Sequence, residues 1–240
     1  MKHYRYYDLV MALFVTVLLV SNLLSSAKII DMGVSLGPLA LVFDAGTLLF
    51  PISYIFGDIL TEVYGYQRSR RVIWVGFFAN ALMALFVWLA AVLPAEATWS
   101  ASVGQSAYDS ILGGVSGLVV ASLAAFFVGE FSNSYVLAKM KIATKGRWLW
   151  TRTIGSTLVG EAVDSTIFFL IATALGVFPP ELILSLIVTN YILKVGIEVL
   201  FTPVTLLVVR ALKKAENEDY YDYNTDFNPF HVDVGMTEKA

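Results

Sequence analysis

Long apolar stretches alternate along the chain with short polar links. A membrane-crossing helix needs roughly 20 mostly apolar residues, and six stretches reach that length. They run from about Leu9 to Ala27, Leu39 to Leu60, Val72 to Leu93, Gly114 to Ala138, Thr153 to Val177 and Leu182 to Leu212. The second is interrupted by Asp44, Gly46, Pro51, Gly57 and Asp58, which predicts a kinked or broken helix. The fourth carries Glu130 and Asn133, the fifth Glu161 and Asp164, and the sixth Asn190, Lys194, Glu198 and Pro203. The pattern predicts an all-α integral membrane domain of six transmembrane helices over 1–212. A polar, acidic, tyrosine-rich tail over 213–240 follows.

Basic residues set the orientation. Lys2 and Arg5 precede the first stretch, and Arg68, Arg70 and Arg71 lie between the second and third. Lys139, Lys141, Lys145, Arg147 and Arg152 lie around the fourth link, and Arg210, Lys213 and Lys214 close the sixth stretch. The alternate links hold only Lys28. This positive-inside pattern places both termini in the cytoplasm of a multi-pass protein of the inner membrane. Lys2, Arg5 and the run ending Ser25-Ser26-Ala27 also have the build of a signal peptide, but the run is longer than the usual hydrophobic region, which favours a retained span.

Composition narrows the chemistry. The chain is 58% hydrophobic and 15% charged, with a mean hydropathy of +0.72. A soluble core has no room for such a surplus. The net charge of −3 offers no field for nucleic acid. There are no cysteines, and the two histidines, His3 and His231, lie near the ends. Thiolate clusters and a histidine-based metal or triad site inside the membrane are excluded, and no metal or other cofactor is expected. No phosphate-binding GxxxxGK[ST] loop occurs.

An ionisable side chain at mid-bilayer costs at least about 2.5–3.5 kcal/mol, so such residues face a cavity or each other. Glu161 and Asp164 share a helical face, as do Lys194 and Glu198, and Glu130 with Asn133. Three helices thus offer polar faces at overlapping depth. Lys194 is the only base in the central half of any span, so carboxylates are left in surplus. That surplus favours an intrahelical pair of Lys194 with Glu198, leaving Glu161 and Asp164 as acceptors for a donor-rich ligand or a proton. Structural pairing of Lys194 with Glu161 or Asp164 is the other arrangement. Asp58 and Glu62, beside Arg68, Arg70 and Arg71, suit interfacial ion pairs of a gate or scaffold. Phe43, Tyr54, Phe168 and Tyr191 could stack on a flat ligand or simply pack.

Several stretches together resemble a known family. They are Phe50 to Tyr54 with Asp58, Glu62, Tyr64 and Gly65; Glu130 with Asn133, Lys139 and Lys141; Arg152 to Thr157 with Glu161, Asp164 and Phe168; Lys194, Glu198 and Pro203; and Thr225 to Phe230. The chain resembles the queuosine precursor transporters of the vitamin uptake transporter group. The resemblance implies import of 7-cyano- and 7-aminomethyl-7-deazaguanine for queuosine modification of tRNA. It also implies a six-helix bundle similar to the substrate-binding subunits of energy-coupling-factor vitamin importers. Glu130, Asn133, Glu161, Asp164, Asn190, Lys194 and Glu198, with the four aromatic residues, are then the candidate substrate contacts. A homodimer is compatible with this reading, and the need for a partner ATPase stays open. Rival readings are transport of another flat base or vitamin, an intramembrane enzyme using Glu161 and Asp164, and a scaffold without a central cavity.

Overall fold

A computed structural model describes residues 4–36, 39–113, 115–176, 178 and 180–231. The chain enters as α1 (Tyr7–Ala27) and turns into a two-stranded antiparallel hairpin, β1 (Ile29–Leu36) and β2 (Leu39–Asp44). A short 3-10 turn (Ala45–Leu48) leads to α2 (Phe50–Tyr64) and α3 (Tyr66–Val92). Two short helices, α4 (Ala97–Ser102) and α5 (Gln105–Tyr108), cap the same end as the hairpin before α6 (Val115–Ala143), α7 (Leu149–Ala174) and α8 (Ile183–Glu216). Among the described residues, α1, α3, α6, α7 and α8 are long and apolar enough to cross a membrane. The predicted ends of the fourth and fifth stretches, Gly114 and Val177, fall outside the described residues.

The second predicted stretch is not one helix, and the fold is not purely α. Its first part forms β2 and the 3-10 turn, and only its second part is α2. The local chemistry explains this. Asp44 caps the turn by accepting from the Thr47 amide, and Pro51 stands in the first turn of α2, where no intrahelical donor is lost. A Cβ on Gly46 would collide with Ser25 and with the Ser21 carbonyl, so glycine lets the turn lie against α1. Pro203, by contrast, lies within an unbroken α8.

The bundle is inside out relative to a soluble protein. Leu82, Phe86, Trp88, Leu184, Leu200 and Leu207 face outward, as lipid requires. Inside, α2 is buried along 13 of its 15 residues and contacts α1, α3, α6 and α8. Gly129 on α6 and Gly160 on α7 bring those two helices into backbone contact, and Tyr54 of α2 fills the gap. A Cβ on Gly160 would lie 2.8 Å from Asn133 Cβ and 3.0 Å from Tyr54 Cε1. Small residues at helix crossings are the usual way membrane helices gain contact.

The segment after α8 is not a loose tail. Residues 217–231 form a strap across the helix ends that carry the basic clusters. Arg70 donates to the carbonyls of Asp226 (2.9 Å) and Asn228 (2.5 Å), and Trp74 Nε1 donates to that of Pro229 at 2.8 Å. The Asp222 carboxylate accepts from the Tyr66 amide, and the Tyr66 hydroxyl donates to the Phe227 carbonyl. Gly65 has φ 85, which ends α2, and its bare Cα seats the Tyr220 ring. Residues 232–240 of the predicted tail lie outside the described residues. Backbone carbonyls meeting buried donors hold this polar segment down.

Gly160→Val should overpack the α6–α7 contact and lower stability by about 1–3 kcal/mol. Gly196→Ala, where nothing lies within 4 Å, should be neutral or slightly stabilising. Thermal unfolding of both variants in detergent checks the pair.

Candidate functional site

The centre of the site is an ion cluster between α7 and α8. Lys194 Nζ lies 2.7 Å from Asp164 Oδ2 and 3.1 Å from Glu161 Oε2. All three side chains are buried, and the ammonium sits 4.3 Å from the centre of the Phe50 ring. Two carboxylates three residues apart on one helical face make a fork that one lysine on the facing helix can enter. This corrects the expected intrahelical pair. Glu198 is one turn further along α8, and its carboxylate has no hydrogen-bond partner among the described residues. Asp164 is therefore not a free acceptor in this state; Glu161 lies within ion-pair distance of Lys194, but neither of its oxygens accepts a hydrogen bond among the described residues.

A cavity of about 40 Å³ opens beside the cluster. Asp164, Lys194, Asn190 and Phe168 of the predicted set lie in its wall. Glu130, Asn133, Glu161, Glu198, Phe43, Tyr54 and Tyr191 do not. Tyr54 is wedged between the α6 and α7 backbones. Tyr191 turns its hydroxyl to the Leu158 carbonyl at 3.4 Å, and Phe43 pairs with Ile30 in the hairpin. Asn133 donates to Asp58 at 2.9 Å.

The rest of the wall was not among the substrate contacts expected from the sequence. Asp44 accepts from Ser25 at 2.5 Å, and the Thr47 hydroxyl lies 2.9 Å from Asp44 Oδ2 and 3.1 Å from Asn190 Oδ1. This polar chain joins α1, the 3-10 turn and α8 above the cavity. Phe50 and Phe169 add aromatic surface. The spacing of Asp44 and Thr47 is a capping signal, and Asn190 stands one turn before Lys194; together they were the available clue.

A second ion cluster closes the end nearest the strap. Glu62 Oε1 meets Arg152 Nη2 at 2.8 Å, Lys213 Nζ at 2.5 Å and Lys141 Nζ at 3.5 Å. The expected partners Arg68, Arg70 and Arg71 do not supply these pairs. They start α3, whereas the observed cations sit at the ends of α6, α7 and α8, packed around α2. Asp219 of the strap lies 2.7 Å from both Lys141 and Lys213. Partial burial pushes Asp219 up, but its bonds to the two lysines outweigh this and hold it below its ordinary 3.8. A carboxylate depressed in this way contributes stability above that ordinary value and loses it only as pH falls through the lower, bound-state value.

The comparisons with known proteins agree with a transport reading. Residues 44–208 match the model of a family described as "Putative vitamin uptake transporter". A Bacillus subtilis protein named "Probable queuosine precursor transporter" is 29% identical over 66% of this chain and 68% of its own length. The Escherichia coli "Queuosine precursor transporter" is 26% identical over 65% of this chain and 67% of its own. A Haemophilus influenzae protein named "Probable queuosine precursor transporter" is 24% identical over 53% of this chain and half of its own. No solved structure matches.

Lys194→Met alone strands two buried carboxylates and should cost about 3–5 kcal/mol. Adding Asp164→Asn should restore much of the loss, and adding Glu198→Gln should not. Detergent unfolding midpoints of the three variants decide between the cross-helix and intrahelical pairs. At the strap, Asp219→Asn should speed proteolysis within 217–231 at neutral pH, while the unaltered strap stays protected down to about pH 5, above the depressed range of its carboxylate.

Proposed function

The chain belongs to the "Putative vitamin uptake transporter" family, and we propose that it imports 7-deazaguanine precursors of queuosine through the plasma membrane. That it is a multi-pass transporter of a small molecule follows from its membrane helices and its family. The substrate is our reading. It rests on one observation: an ammonium and a carboxylate side by side in the wall of a cavity flanked by Phe50 and Phe168. A guanine-type edge presents a carbonyl acceptor next to ring N–H and amino donors. Lys194 suits the carbonyl and Asp164 the donors, a two-point match that a carboxylate or an ammonium alone lacks. The aromatic walls suit a flat ring, and Asp44 with Asn190 supplies further polar contacts, including an acceptor for an aminomethyl cation.

About 40 Å³ holds one or two waters, not a two-ring base. Loading therefore requires the wall to open, and the shortest elements lining it are β2 and the 3-10 turn, which carry Asp44 and Thr47. We further propose that α2 is a sixth crossing. Its 15 residues span about 22 Å, and burial among other helices, with the 3-10 turn and hairpin completing its path, removes the need for a full lipid-facing length. The basic ends of α3, α6, α7 and α8 gather at one end with the strap and the start of α1, as Glu216 accepting from the Arg5 and Tyr6 amides shows. That end is the cytoplasmic one in this reading. A six-helix arrangement like the substrate-binding subunits of energy-coupling-factor importers belongs to the same proposal.

Asp164→Asn or Lys194→Met with Asp164→Asn should weaken binding of labelled 7-aminomethyl-7-deazaguanine about tenfold to a hundredfold. Glu96→Gln, at the exposed start of α4, should leave it unchanged. Purified protein that binds neither precursor while remaining folded would refute the substrate. The orientation has its own check, because the chain has no cysteine. A cysteine at Glu181 should react with an impermeant reagent in intact cells, and one at Lys145 only after permeabilisation.

A further inference from the structure

The buried interior holds more acid than the cavity uses. Lys194 is shared by Asp164 and Glu161. Asp58 accepts from Asn133 and also faces Ser156, and its second oxygen has no hydrogen-bond partner among the described residues. Glu130 and Glu198 are 0% and 1% exposed, and none of their four carboxylate oxygens has a hydrogen-bond partner among the described residues. No basic group stands within ion-pair distance of either there.

Glu130 is also placed, not merely buried. Its Oε1 lies 2.0 Å from where a Cβ on Gly57 would be, so the carboxyl rests against the α2 backbone. The ionisable groups facing it are Asp58 from α2, Glu161 and Asp164 from α7, and Glu198 from α8. Tyr54 of α2 faces the same carboxylates, and its fully buried hydroxyl has no hydrogen-bond partner among the described residues. On the other side, α1 and α3 meet α6 through Phe14, Leu18, Gly76 and Phe126, which supply no charge. An ionised carboxylate without a partner in such surroundings is far more costly than a neutral carboxyl.

We propose that Glu130, with Glu198 as its neighbour across the bundle, is a proton-binding site that links this transporter to the proton gradient. The closed bundle demands a proton on Glu130, because no cation or donor compensates its charge. When the wall opens and water reaches the acids, that demand is lifted and the proton exchanges. Closing and opening therefore take up and release a proton: the O–H bond forms on the carboxylate as the site dries and breaks to water as it wets. The proton site stands on this geometry alone, and its coupling to uptake rests on the transport reading given above.

Two measurements test it. The first needs no substrate. Infrared spectra of the purified protein at neutral pH should show a protonated-carboxyl band that shrinks in Glu130→Gln and in Glu198→Gln. Absence of the band, or a band untouched by both changes, overturns the site. The second uses proteoliposomes and labelled 7-cyano-7-deazaguanine. With acid outside, uptake should accumulate about tenfold per pH unit at one proton per substrate. In Glu130→Gln the ratio of uptake with and without the gradient should fall to one. A sodium gradient that drives uptake where a pH gradient does not overturns the coupling. If unaltered protein shows no exchange of this substrate at all, the substrate reading fails, and the infrared band still decides the proton site.

Discussion

Hydrocarbon cannot solvate charge, and that constraint organises this molecule. Each ionised side chain must find its counter-charge inside the bundle or lose its charge. The chain meets the demand at two levels. Midway, one ammonium serves two carboxylates on the facing helix. At the strap end, one carboxylate, Glu62, serves three cations from three helices, and Asp219 answers two of them. Both clusters join elements distant in sequence. They set which helix faces which, where apolar packing in lipid gives little direction because lipid and leucine are equally apolar.

Between these levels runs α2, and its shortness follows from its position. A helix exposed to lipid must satisfy the full thickness with apolar side chains. One surrounded by α1, α3, α6 and α8 can be short and carry Ser53, Asp58, Thr61 and Glu62 inward. The same placement explains the glycines. Gly57 clears room for the Glu130 carboxyl, and Gly129 with Gly160 clears room for Tyr54. A polar interior needs close backbone approach where bulky polar side chains such as Tyr54 and Glu130 are seated between helices.

The apolar stretches and their flanking bases were legible because length and hydropathy are local properties. Five of the six stretches correspond to long helices, with ends that differ by up to about six residues. Asp164 and Lys194 were legible as neighbours because helical spacing puts them on polar faces at overlapping depth, and the structure lines one cavity with them, Asn190 and Phe168. The partner of Lys194 was not. Periodicity says that Glu198 shares its face; it does not say that Asp164 stands closer across the interface. The hairpin was hidden in an apolar run whose strand and helix readings have the same composition, with Asp44 and Thr47 as the local sign of a cap. The strap was hidden because its grip is largely through backbone carbonyls, which carry no side-chain signature.

The two ion clusters differ in a way that bears on how such a bundle moves. Glu62 and its cations lie under a strap that adds Asp219, so parting the helix ends there means separating several charge pairs at once. The opposite end is closed by hydrogen bonds among Ser25, Asp44, Thr47 and Asn190, with no cation among them. Neutral or singly charged hydrogen bonds exchange readily for water, whereas several charge pairs released together must all be rehydrated at once. The hairpin side is therefore the easier one to open from this state. A solute entering there meets the Asp164–Lys194 pair before it meets the carboxyls of Glu130 and Glu198. In the proposed reading, that order puts recognition nearer the hairpin end and proton exchange deeper in the bundle.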